Sequence, residues 1–222
     1  MTDSLGQGGA AVRLVRDERG LALVGDGMEL RGDFSRMLPR LRQGRLQQEL
    51  LVKAARIKGA EAPTAVDCTA GLGEDSLLLA AAGFVVTLFE RDQTIAALLA
   101  DALERAAADP RLAEAVGRMT LVAGNSIAGL AVLSEPPDVV YLDPMFPART
   151  KSAAVKKKFQ LLHHLERPCE EEEALVAAAL AAHPRKVVIK RPAKGALLAG
   201  MKPSYSVAGK AVRYDVLVPP RP

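Results

Sequence analysis

From Ala65 onward, short runs of β-branched and apolar residues alternate with segments of helical spacing, and this limits the possible folds more than any other feature. Ala65 to Cys68, Phe84 to Phe89, Met119 to Ala123, Asp138 to Leu142 and Lys186 to Lys190 read as strands. Asp75 to Ala82, Thr94 to Ala107 and Leu175 to Ala182 read as helices, the first closed by Gly83. Such alternation predicts a parallel sheet with helices on both faces. Tyr205 to Val207 and Val212 to Val218, either side of Gly209, predict a closing antiparallel hairpin.

Before Pro63 the pattern is different. Ala11 to Val15, Leu21 to Val24 and Met28 to Arg31 read as short strands around the turns Asp17-Glu18-Arg19-Gly20 and Gly25-Asp26-Gly27. Gln47 to Lys58 has helical spacing and ends at Gly59. The expected organisation is a small N-terminal β/α subdomain over 1–60, its first ten residues disordered, and a main domain over 61–222.

Composition excludes several classes. No apolar run reaches the roughly 18 residues of a membrane span. Met1 to Ala10 lacks a basic stretch followed by an apolar one, so no secretory signal is expected. Cys68 and Cys169 lie far apart without ligands at metal spacing, which argues against a disulfide or bound metal and fits a reducing cytoplasm. Charge is unevenly spread: residues 148–222 hold 15 Lys and Arg against 6 Asp and Glu, and the first 147 hold 15 against 20. That asymmetry suits a polyanionic partner.

In doubly wound sheets ligands bind beyond the carboxyl ends of the strands. Gly71-Leu72-Gly73 follows the first main strand and opens a helix, as a nucleoside-cofactor loop does. Ser76 stands where a dinucleotide fingerprint has its third glycine, and Glu74 and Asp75 at the helix start would repel a phosphate. Those acids would attract a sulfonium and an ammonium, so S-adenosylmethionine is favoured over NAD. Glu90, ending the second strand beside Arg91, is placed to accept from ribose hydroxyls, and Asn125 and Ser126 after the third to meet an adenine edge.

The fourth strand runs into Asp143-Pro144-Met145-Phe146-Pro147. The Asp143 carboxylate and Pro144 carbonyl can accept the hydrogens of a planar amine, while Phe146 offers a stacking face. Arg149, Lys151, Lys156, Lys157 and Lys158 follow at once, and Lys186, Lys190, Arg191 and Lys194 are expected at the same carboxyl edge. Both clusters suit the phosphates of a nucleic acid. Three readings remain open from residues alone: a methyltransferase of a base amine in RNA, one acting on DNA adenine or protein glutamine, and a non-catalytic RNA-binding assembly factor.

Several stretches together resemble one family. Gly44-Arg45 with Glu49 to Ala54, Asp67 to Gly73, Leu88 to Arg91, Val139 to Pro147, Lys151 to Lys157 and Lys190-Arg191-Pro192 follow one another as in the RsmJ family of bacterial small-subunit ribosomal RNA methyltransferases. The resemblance implies a class I S-adenosylmethionine-dependent fold, a Rossmann-like seven-stranded sheet ending in an antiparallel hairpin. It implies methylation of a guanine 2-amino group in 16S rRNA, free or in the small subunit. By motif position it assigns the cofactor to Glu74, Asp75, Glu90, Arg91, Asn125, Ser126 and Asp143.

Overall fold

A computed structural model describes residues 12–25, 27–144 and 171–220. β1 (Arg13–Asp17), β2 (Gly20–Gly25) and β3 (Met28–Leu30) form a three-stranded antiparallel sheet. A 3-10 turn (Phe34–Met37), α1 (Leu38–Leu41), a second 3-10 turn (Leu46–Gln48) and α2 (Leu50–Ala55) lead into the main fold. There follow β4 (Thr64–Asp67), α3 (Glu74–Ala81), β5 (Val85–Glu90), α4 (Gln93–Ala107), α5 (Ala113–Val116), β6 (Met119–Ala123), α6 (Ser126–Ala131) and β7 (Val139–Leu142). The last described elements are α7 (Glu172–Ala181), β8 (Lys186–Pro192), a 3-10 turn (Leu198–Gly200), β9 (Tyr205–Ala208) and β10 (Val212–Leu217).

The seven strands lie in the order β6-β5-β4-β7-β8-β10-β9. Five are parallel, and β10 runs antiparallel to both β8 and β9, so the predicted sheet and closing hairpin are present. The chain steps outward from β4 to β5 and β6, then returns to place β7 on the other side of β4. That reversal opens a crevice at the carboxyl ends of β4 and β7.

Alternation along each strand divides the core between two faces. Ala65, Val86, Leu88, Val139, Tyr141, Val188 and Tyr214 pack with Leu77 to Ala80 of α3 and Leu99 of α4. Val66, Phe89, Val140, Leu142, Val187 and Ile189 pack with Leu130 of α6 and Leu175 and Val176 of α7. β7 is buried on both faces, which explains its uninterrupted apolar run.

The N-terminal segment departs from expectation in detail. β1 starts at Arg13 and runs to Asp17, β3 stops at Leu30, and Ala11 lies outside the described residues. The helix expected over Gln47 to Lys58 breaks at Glu49, whose backbone is extended (ψ 130°). Its carboxylate takes two hydrogen bonds from Arg40 at 2.9 and 2.7 Å, a contact that local periodicity does not register. The helix ends early because Lys186 Nζ donates to the Ala54 and Arg56 carbonyls at 3.1 and 2.7 Å, and Ile57 turns inward.

The small sheet rests on α4 through Leu23 and Leu30 against Ile95 and Leu98. Phe34, Met37, Leu46, Leu51 and Ala54 join the cluster beneath α3 and the main sheet. Among the described residues no helix is long and apolar enough to cross a membrane.

Candidate active site

The crevice is built around the tip of β4. Asp67 is buried there; it accepts from the Thr69 amide at 3.0 Å and lies 2.6 Å from the Ser76 hydroxyl on α3. These bonds hold the intervening glycine turn. Gly73 has φ +76°, and a Cβ on it would lie 2.7 Å from Leu99 and 3.2 Å from Phe34, so no larger residue fits. Gly71, at φ +53°, borders open space, which leaves room for a ligand above the turn.

The same turn is tied to its neighbours. The Gly71 amide donates to Glu90 Oε2 at 2.8 Å, and the Asp92 amide to Glu90 Oε1 at 2.8 Å. Burial pushes the Glu90 carboxyl up, partly countered by the Asp92, Gly71 and Arg91 amides. On the other side, the Asp143 amide donates to Thr69 Oγ1 at 2.7 Å. The β4 turn and the β7 tip therefore meet in one cleft.

At its centre lies a polar chain from three elements. Tyr141 donates its hydroxyl to Asp75 Oδ2 at 2.6 Å, and Lys190 Nζ reaches Asp75 Oδ2 at 2.7 Å and Asp143 Oδ2 at 2.8 Å. Tyr141 and Lys190 project toward the α3 face because they share strand parity with Val139 and Val188. Burial opposes the Lys190 charge, but the Asp75 and Asp143 carboxylates outweigh it and push its pKa up. Burial raises the Asp143 carboxyl, with Lys190 pulling it back and Asp75 pushing the same way as burial. Tyr141, wholly buried among these acids, is held well above the ordinary phenol range, by burial first.

The other expected residues sort clearly. Asp75 lies in the chain just described, while Glu74 and Arg91 are exposed nearby. Asn125 follows β6, beside Glu90, and its Oδ1 caps α6 by accepting from the Ile127 amide at 2.8 Å; Ser126 is buried. Pro144 is buried behind Asp143. Phe146, Arg149, Lys151, Lys156, Lys157 and Lys158 lie outside the described residues.

Three cations lie elsewhere than their sequence positions predict. Lys190 is inside the cleft, holding two acids, and not on a phosphate-facing surface. Arg191 has the opposite parity, is only 3 % exposed, and donates from Nε to the Ala196 carbonyl at 2.8 Å. Lys186 begins β8 at the amino edge and caps α2 there. Tyr141 and Thr69 join the site unexpectedly, and Ser76 enters it as a partner of Asp67. Tyr141 was visible as the one hydroxyl in an apolar strand, a residue type that needs a partner when buried.

Acids at the start of α3, a carboxylate fixed at the tip of β5 and open space above Gly71 fit a cationic nucleoside donor and oppose a pyrophosphate. Together with the strand order, these features define a class I S-adenosylmethionine-dependent methyltransferase.

Comparisons with known proteins agree. The family described as "Putative SAM-dependent methyltransferase" matches residues 9–219. A crystal structure of a SAM-dependent methyltransferase from Neisseria gonorrhoeae superposes with a TM-score of 0.78 at 32% identity, covering 96% of this chain and 85% of that one. The chain is 45% identical over 218 residues to the ribosomal RNA small subunit methyltransferase J of Thioalkalivibrio sulfidiphilus, covering 95% of this chain and 86% of that protein. The namesake from Neisseria meningitidis is 40% identical over 206 residues, covering 91% and 82%. The protein belongs to the small subunit methyltransferase J family, RsmJ.

Proposed function

We propose that this protein methylates the 2-amino group of a guanine in small-subunit ribosomal RNA, in the cytoplasm. The relatives' names support the substrate, and one observation carries the chemistry. Asp143 is hydrogen-bonded through its amide to the glycine turn and through Lys190 to Asp75, so the amine acceptor and the donor-binding acids share one cleft.

The guanine amine is a poor nucleophile because its lone pair is delocalised into the ring. Asp143 Oδ2 is occupied by Lys190, which leaves Oδ1 to accept one amine hydrogen; the Pro144 carbonyl takes the other. Gripping both hydrogens pyramidalises nitrogen and localises the pair. Lys190 draws the Asp143 pKa back down against the burial that raises it. Phe146 stacks on the base and fixes its plane, and Arg149, Lys151 and Lys156 to Lys158 meet the flanking phosphates.

Glu90 holds the ribose, Asn125 and Ser126 the adenine edge, and Asp75 with Glu74 the cationic end of the cofactor. When bound, S-adenosylmethionine supplies the electrophilic methyl group and keeps the sulfur as a neutral thioether, and the proton lost from the amine passes to Asp143 or to water. Positioning and aimed charge then provide the acceleration, with no covalent enzyme intermediate.

The test is incubation with labelled S-adenosylmethionine and purified small-subunit rRNA or intact subunits, followed by nucleoside mapping. Label in N2-methylguanosine that disappears in Asp143→Ala is the expected result. Label in another nucleoside, or near wild-type transfer by Asp143→Ala, would overturn it.

A further inference from the structure

The basic surface expected from sequence lay downstream of the pocket, yet a second one emerges from the N-terminal segment. Residues 34–48 carry four arginines, Arg36, Arg40, Arg42 and Arg45, and no acid. Arg36, Arg42 and Arg45 are exposed, Arg36 while paired with Asp33 at 3.1 Å, and so are Gln43, Gly44, Gln47 and Gln48 between and beside them.

Contacts at its two ends fix where this segment runs. At one end Phe34 packs against Gly73, in the turn that opens α3 at the carboxyl edge of the sheet. At the other, Leu50 lies where a Cβ on Gly209 would come within 2.6 Å of its Cδ1. Gly209 sits in the β9–β10 turn, and β10 begins opposite the carboxyl end of β8, with Val212 paired to Pro192. From Leu50, α2 descends to the amino edge, where Lys186 meets the Ala54 and Arg56 carbonyls. Residues 34–48 therefore span the carboxyl edge on the α3 face, from the cofactor turn to the terminal hairpin.

Midway, Arg40 is locked to Glu49. The segment lies beside the cleft because Phe34, at its start, packs on Gly73 of the cofactor turn. Lys210, exposed in the β9–β10 turn, extends the cationic rim.

We propose that the exposed turn bearing Arg36, Arg42 and Arg45, with Lys210 beside it, is a docking surface for the RNA phosphates that flank the target base. The inference rests on the RNA reading above and deepens it. It gives the N-terminal part, expected over 1–60, a role in holding the substrate across the mouth of the cleft. Arginines on a short exposed turn suit phosphate contact because each presents a planar fork of donors. Their segment begins at Phe34 on the cofactor turn and ends beside the β9–β10 turn, so phosphates bound along it would flank the cleft.

The test compares wild type, Arg42→Gln/Arg45→Gln, Arg42→Glu/Arg45→Glu and Lys58→Glu, all as full chains. Lys58 is exposed beyond the amino-edge end of α2 and serves as the charge control. Binding of purified small-subunit rRNA is measured across salt concentrations, beside methyl-transfer KM and kcat and calorimetric S-adenosylmethionine affinity. Loss of two phosphate contacts flattens the log–log salt slope by about 1.4 for single-stranded RNA and weakens binding roughly tenfold or more near 0.1 M salt. The Gln pair should show this as a raised KM for RNA, with cofactor affinity unchanged and Lys58→Glu like wild type.

A wild-type slope in the Gln pair overturns the proposal while leaving the RNA function standing. So does an equal loss of affinity per unit of charge changed in Lys58→Glu, which would make the effect one of overall charge. Reduced cofactor affinity in the Gln pair would assign the turn to the cofactor loop and also overturn it. If wild type neither binds nor methylates the RNA, the functional reading fails and this one with it.

Discussion

Two lysines of β8 show how differently the two edges of the sheet are used. Lys186 and Lys190 share a strand and, by parity, a face, yet they sit at opposite ends. At the amino edge, Lys186 meets the Ala54 and Arg56 carbonyls at the end of α2, and Asp138 receives Arg185 and the Thr64 amide. Each charge there closes a chain end. At the carboxyl edge, Lys190 is drawn between Asp75 and Asp143, with Asp67 and Glu90 also near the same turn. Burial raises the carboxyl pKa of Asp67, Glu90 and Asp143 alike. An excess of part-buried acids destabilises a fold unless something binds there, and perturbed groups gathered in a cleft mark function. Charges at the amino edge tie down chain ends, whereas those at the carboxyl edge gather around one lysine in the cleft.

Replacing these lysines is the most direct way to break that contrast. Lys190→Met should lower kcat by about two to three orders of magnitude, the usual cost of losing one aimed electrostatic group. Because Lys190 pulls the Asp143 pKa down, its removal lets that pKa rise further. The acid limb of the kcat profile should therefore move to higher pH, and Lys190→Arg should restore much of its position. An unshifted limb would mean that Lys190 does not control Asp143. Lys186→Met should instead cost about 1–2 kcal/mol of stability, measured by urea unfolding, with kcat within about twofold of wild type.

Neither role could be read from spacing. Lys190 beside Arg191 looks like a basic cluster, and only strand parity sends one into the cleft and the other into the protein. Lys186 was assigned to the wrong edge because a strand in sequence carries no mark of which end faces a ligand. The sheet and hairpin were legible since apolar periodicity is local. The break at Glu49 was not, because it depends on Arg40 nine residues earlier. Glu90 and Asp143 were legible as carboxylates at strand ends, whereas their bonds to Gly71, Thr69 and Lys190 arise only from the strand order.

A milder substitution sharpens the account of the cleft. Tyr141→Phe removes the donor to Asp75 but keeps the ring packed near Tyr214. Asp75 then keeps Lys190 and loses its second support. The expected outcome is a several-fold rise in the KM for S-adenosylmethionine, equivalent to about 1 kcal/mol, with kcat nearly unchanged. A fall in kcat with constant KM would move Tyr141 from cofactor binding to the transfer step.

The smallest effect is on stability, and its sign follows from Asp67. Its carboxyl is pushed up to about 7, by burial first, with the Ser76 and Thr69 hydrogen bonds acting the other way. In the unfolded chain it titrates near the model-peptide 3.9. The folded state therefore holds the extra proton between those values. The stability it confers is complete below the unfolded value and is lost as pH rises toward about 7. Glu90 and Asp143, also raised, act in the same direction. Wild type should thus melt lower at pH 8 than at pH 5.5, by a few degrees, at roughly 2–4 °C per kcal/mol. Asp67→Asn reproduces the shape of the protonated carboxyl: its oxygen still accepts the Thr69 amide, and its NH2 donates to Ser76 Oγ, as the protonated acid does. Melting curves of this variant should show a shallower decline over the same interval. An equal decline would assign the pH dependence to other groups and leave Asp67 a fixture of the turn, closer in kind to Lys186 than to Lys190.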